Sequence, residues 1–95
     1  MKFILFGEAM PKTEFNAVDC YHALEYALGT FFKDCVVTEN VTSLEEGVVA
    51  VQIRSLANIG SEEEPVSYER HPVYLLEEAR YNKLSPHTLA IIAGD

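Results

Sequence analysis

Two neighbouring stretches decide the fold. They are Pro72-Val73-Tyr74-Leu75-Leu76-Glu77-Glu78-Ala79-Arg80-Tyr81-Asn82-Lys83-Leu84 and, after Ser85-Pro86-His87, Thr88-Leu89-Ala90-Ile91-Ile92-Ala93. Proline suits the first position of a helix, where its missing N–H has no partner to lose. Val73, Leu76, Ala79, Arg80 and Leu84 then fall along one inner edge, with Glu77, Glu78, Asn82 and Lys83 outward. This spacing predicts a helix over 72–84, stopped by Ser85-Pro86. The apolar run 88–93 predicts a final strand, apolar on both faces.

Working outward, residues 2–9 read as a second buried strand, the short apolar run Lys2-Phe3-Ile4-Leu5-Phe6 ended by Gly7 and then polar residues. Met10-Pro11-Lys12-Thr13 reads as a loop. A helix is expected over 16–33, with Asn16 as N-cap and Asp19 near the positive end of the dipole. Its apolar stripe is Ala17, Cys20, Tyr21, Leu24, Ala27, Leu28, Phe31 and Phe32. Residues 35–43 and 48–57 are rich in β-formers, and Leu44-Glu45-Glu46-Gly47 joins them as a hairpin, with Gly47 free to take a positive φ. Residues 58–70 read mainly as a charged loop, in which Pro65-Val66-Ser67-Tyr68 can add a short strand.

The resulting order, β-α-β-β-α-β over a single domain spanning 1–95, predicts an α+β fold. It would be a ferredoxin-like sandwich with a four-stranded antiparallel sheet and two helices on one face. The first and last strands would lie side by side in it. The opposite face would be bare, polar toward Thr38, Asn40, Gln52 and Arg54, and apolar where Ile4, Phe6, Ala90 and Ile92 point outward. An exposed apolar patch of that kind marks association, so a homodimer is expected through these four residues. Phe6→Glu should then dissociate an oligomer without unfolding the chain.

Composition sets the surface chemistry. The 95 residues carry a formal net charge of −8, with acids spread along the chain, and 48% are apolar. Such a surface disfavours direct contact with nucleic acid or anionic membrane and suits a basic protein partner. No signal peptide pattern and no span-length apolar run is present, which points to a cytoplasmic protein. Cys20 and Cys35 lack metal or redox spacing and read as free thiols.

Catalytic chemistry is hard to assemble from these residues. Asp19, His22 and Glu25 share one helix face, but no nucleophile is tied to them, and ordinary pairs at that spacing are common. Glu62-Glu63-Glu64 forms no coordination shell. Phosphate loops, zinc spacings and nucleophile elbows are absent from the sequence, so no catalytic residue, metal or cofactor is assigned. The element order is that of acylphosphatases, yet no Gly-Arg-rich loop follows the first strand. The small CRISPR-adaptation nucleases of this fold carry an aspartate there, and this chain has Gly7-Glu8.

Tyrosine offers contact area with a polar handle. Tyr74 and Tyr81, with Glu77 and Glu78 between them and Glu62, Glu63 and Glu64 nearby in sequence, form the expected binding surface. The composite expectation is a non-enzymatic acidic protein-binding domain, an inhibitor or adaptor of the small viral or mobile-element type, with nucleic-acid mimicry as its sharper form. The alternative is a small dimeric α/β-barrel type enzyme or ligand-binding domain, with Tyr26, His22 or His71 as polar groups in a pocket between sheet and helices.

Overall fold

A computed structural model describes residues 1–8, 10–33, 35–55, 58–60, 65–67 and 71–93. The elements are β1 (Lys2–Gly7), β2 (Met10–Asn16), α1 (Cys20–Phe31), β3 (Val37–Glu45), β4 (Val48–Ser55), β5 (Asn58–Gly60), β6 (Pro65–Ser67), β7 (Val73–Glu77), α2 (Glu78–Tyr81) and α3 (Pro86–Ala93). The architecture is α+β, with a five-stranded antiparallel sheet in the order β2-β1-β7-β4-β3 and a separate β5-β6 pair. It departs from the ferredoxin-like expectation of four strands with both helices on one face.

The departure begins in the two stretches that open the sequence reading. Residues 73–77 are a strand, and residues 86–93 are a helix. Val73-Tyr74-Leu75-Leu76 sits in the middle of the sheet, where both faces are covered, so its side chains are apolar on both sides and mimic a helix edge. Ser85-Pro86 starts a helix as well as stopping one. Ser85 is the N-cap, its Oγ accepting the Thr88 N–H at 3.2 Å, and Pro86 takes the first helical position. Met10–Asn16 is also a strand rather than a loop, because Pro11 lies on an outer strand, where a missing N–H costs no ladder bond.

Alternation along β1 feeds two cores. Phe3 and Leu5 pack with Met10, Ile53, Val73 and Leu75 under α1, which approaches closely through the buried Ala23 and Ala27. Ile4 and Phe6 pack on the other face with Val48, Ala50, Leu76 and Leu84, joined by half-buried Leu89 and Ile92 of α3. The second face of the sheet is therefore closed by α2 and α3. Phe6 is only 6% exposed within one chain. The expected bare patch of Ile4, Phe6, Ala90 and Ile92 does not exist. The first two are core, and the last two belong to the helix that covers them.

Two glycines hold geometry that other residues would strain. Gly47 turns the β3–β4 hairpin at φ 81°. At Gly7 an added Cβ would come 2.7 Å from the Pro72 carbonyl oxygen, so β1 and the start of β7 approach only because that side chain is missing.

Glu45 fastens α3 to the sheet. Its carboxylate accepts from Thr88 Oγ1 at 2.7 Å, from Ser85 Oγ at 3.0 Å and from the Ser85 N–H at 3.2 Å. The Thr88 hydroxyl, then Ser85, hold that carboxyl below the usual carboxylate range.

Candidate functional site

The expected acidic-aromatic face on 72–84 is dispersed by the strand at 73–77. Tyr74 and Tyr81 do converge on Phe6, Tyr74 tilted with ring centroids 5.9 Å apart and Tyr81 edge-on at 5.0 Å, as the half-buried margin of the second core. Glu77 alternates to the α1 side of the sheet, and Glu78 reaches Lys2 at 3.4 Å. Glu62, Glu63 and Glu64 lie outside the described residues.

Asp19 and His22 form a helix cap. Asp19 Oδ1 accepts the His22 N–H at 2.9 Å and lies 2.8 Å from His22 Nδ1. The backbone bond lowers the Asp19 carboxyl, and the Asp19 hydrogen bond raises the His22 imidazole. Both side chains are exposed, and no nucleophile joins them. Asp19 rather than Asn16 is the N-cap of α1, so Cys20 and Tyr21 fall in its first turn, and both are exposed, not core. Cys20 and Cys35 are free thiols.

Three surface features remain. The first is the outer side of α1 and its entry, where Val18 is 75% and Tyr21 66% exposed, beside Asp19, His22 and Glu25. Tyr26 is also exposed and leans on Phe15 at 4.8 Å. Tyr21 and Tyr26 lie about 140° apart around the helix, on the two flanks of an outer face that carries His22 and Glu25. Tyr21-His22 and Glu25-Tyr26 carry the signal for this face, but the three- and four-residue spacing also sets Tyr21 on the apolar stripe.

The second feature is β3, which pairs only with β4 among the described residues and is exposed along most of its length. Val41 on this strand is 72% exposed. Together with Val49, Met1 and Phe3 it lines a cleft of about 270 Å³. Beyond the last β4–β7 pair, Val51 with Leu75, the two strands carry no further pairing there.

The third is an open groove of about 680 Å³ along α3, lined among others by Phe6, Met10, Leu89, Tyr81, Lys12 and Glu8. Its cation is already engaged: Lys12 Nζ is 3.3 Å from Glu14 and 4.9 Å above the Tyr81 ring. His71 pairs with Glu8 at 3.0 Å at the rim, whereas His22 and Tyr26 lie on α1 and not in a pocket under the sheet. Among the described residues no group of three or more His, Cys, Asp or Glu side chains is placed to hold a metal ion. No described helix is long and apolar enough to cross a membrane.

No family model, curated protein or solved structure matches the chain.

Proposed function

We propose that the chain is a non-enzymatic, acidic protein-binding domain that acts as a cytoplasmic inhibitor or adaptor of a basic protein partner, in the manner of small viral or mobile-element proteins. The observation that carries this reading is the outer side of α1. Val18, Tyr21 and Tyr26 stand exposed among Asp19, His22 and Glu25. Rigid aromatic anchors ringed by charge are the usual centre of a protein interface. The ionisable groups support the same reading. Among the described residues, the shifted groups trace to surface ion pairs, to the α1 cap and to the Glu45 hydrogen bonds with Thr88 and Ser85.

A partner bound this way is tested by affinity capture with the intact chain. The variant Tyr21→Ala with Tyr26→Ala is expected to lose the captured protein by about thirtyfold or more. Added salt is expected to weaken the wild-type complex, because opposite charges are screened. Capture unchanged by both tyrosine substitutions contradicts the reading. If the partner's nucleic-acid ligand and the chain exclude each other, the partner's basic site is the one occupied, which is the mimicry form of the proposal.

A second reading, a small-molecule binding domain, draws on the groove along α3. The groove is large enough for a ligand. However, its lysine and its acid are already paired with Glu14 and His71.

A further inference from the structure

We infer that the outer edge of β3, which pairs only with β4 among the described residues, receives a second copy of this chain, paired antiparallel about a two-fold axis at Val41. The inference goes beyond the proposed partner binding and does not rest on it, since the α1 surface is not used.

Three observations select β3 and its occupant. The strand is nine residues long, Val37-Thr38-Glu39-Asn40-Val41-Thr42-Ser43-Leu44-Glu45, and contains no proline and no lysine, the residues that usually prevent edge pairing. The other outer strand, β2, contains both, at Pro11 and Lys12. Exposed Val41 sits opposite Val51 on the α1 side of the sheet, so its apolar surface continues to the very edge.

The edge is also complementary to itself. An antiparallel pair of identical strands must be centred on a residue, so that matching faces of the two sheets align. Centred on Val41, the strand opposes Val41 to Val41, Asn40 to Thr42, Glu39 to Ser43, Thr38 to Leu44 and Val37 to Glu45, with no two carboxylates face to face. The row Val51–Val41 then meets its own copy and doubles in length across the interface. Centring on Glu39 would oppose two carboxylates, centring on Thr42 would oppose Glu39 to Glu45, and centring on Asn40 would set Glu39 against Val41. The Val41 register sets the two exposed valines against each other and keeps the carboxylates apart, and its unlike pair, Val37 with Glu45, falls at the strand ends.

A ladder of this length spans ~30 Å and makes a small interface, so the dimer is expected in about the micromolar range. Both copies carry a net charge of −8, so their long-range interaction is repulsive. Added salt should therefore tighten this dimer, opposite in sign to its effect on a basic partner.

Sedimentation velocity of the intact chain across the micromolar range tests the inference. A reversible dimer is expected that strengthens with salt. Val41→Lys places two ammonium groups against each other and should weaken it about tenfold or more. Tyr21→Ala should leave it unchanged. Circular dichroism and thermal melting check that Val41→Lys keeps its fold. Should it not, Val41→Cys in a Cys20→Ser, Cys35→Ser background gives a second reading, since the dyad brings the two new thiols within disulfide reach. A monomer at every concentration overturns the inference, and so does a dimer indifferent to Val41→Lys or a failure of Val41→Cys to cross-link.

Discussion

Strands β2 and β3 both end the sheet, and both expose a row of backbone donors and acceptors, but their side chains differ in kind. Strand β2 carries Pro11, Lys12 and an ion network in which Lys2 lies 3.6 Å and Lys12 3.3 Å from Glu14. These pairs hold the Glu14 carboxyl below its usual range, through Lys12 first and then Lys2. Another strand could dock on β2 only by stripping water from charges and by tolerating a missing N–H. Strand β3 offers Thr, Asn, Val and Ser on a longer run. In a sheet whose central strands are covered by helices on both faces, this contrast leaves β3 as the side through which the sheet can grow.

The largest expected effect tests the closed faces on which that contrast depends. Phe6→Glu would bury a carboxylate between Tyr74, Tyr81 and Leu89. Losing the ring and burying the charge should cost about 4 kcal/mol or more, a large part of the stability of a small domain. Thermal unfolding should show a chain that is largely unfolded; a folded Phe6→Glu monomer would reopen that face as an association surface.

Next comes removal of the guards on β2. Pro11→Thr with Lys12→Val should make the two edges alike. Light scattering is expected to show species larger than the wild-type assembly, growing with concentration. An unchanged mass would mean that Pro11 and Lys12 are not what keeps β2 unpaired.

Smaller effects concern the anchor that joins the end of β3 to α3. Ser85→Ala removes an N-cap and should cost about 1 kcal/mol, seen as a lower Tm. The Glu45 carboxyl is depressed in the fold, so its contribution is present above the unfolded value of 4.5 and is lost as pH falls through the lower folded value. Acid should therefore loosen α3, and Glu45→Gln should flatten that part of the stability–pH curve.

The smallest expected effect is at the α1 cap. His22 is raised above 6.5 by Asp19, so its contribution is full below 6.5 and fades as pH rises through the folded value. Asp19→Asn should return the His22 titration, followed by NMR, toward its ordinary position.

The sequence exposed the hairpin most clearly. Gly47, the β-branched residues of β4 and their alternation led directly to Val37–Ser55 in the structure. Strand β1 was equally clear. Strand β7 and helix α3 were interchanged because a central strand and a buried helix are both short apolar runs, and only tertiary context separates them. The decisive local cue was Ser85-Pro86-His87-Thr88, which terminates one pattern and caps the next. Pro11 similarly suggested a loop, because its tolerance on an outer strand depends on a sheet order that no local window contains. The surfaces depend on the same elements: a strand at 88–93 leaves Ile4 and Phe6 bare, whereas helix α3 covers them, and a cap at Asp19 leaves Tyr21 in the exposed first turn of α1. Val41 was in plain view in β3, but its exposure depends on β3 being the outermost strand.

The most direct test of the contrast between the two edges is amide hydrogen exchange measured at low and high protein concentration. The outward amides of Val37–Glu45 are expected to gain protection as concentration rises, while those of Met10–Asn16 exchange at the same rate throughout. Protection of β3 that does not change with concentration, or a gain that appears on β2 instead, would contradict the account.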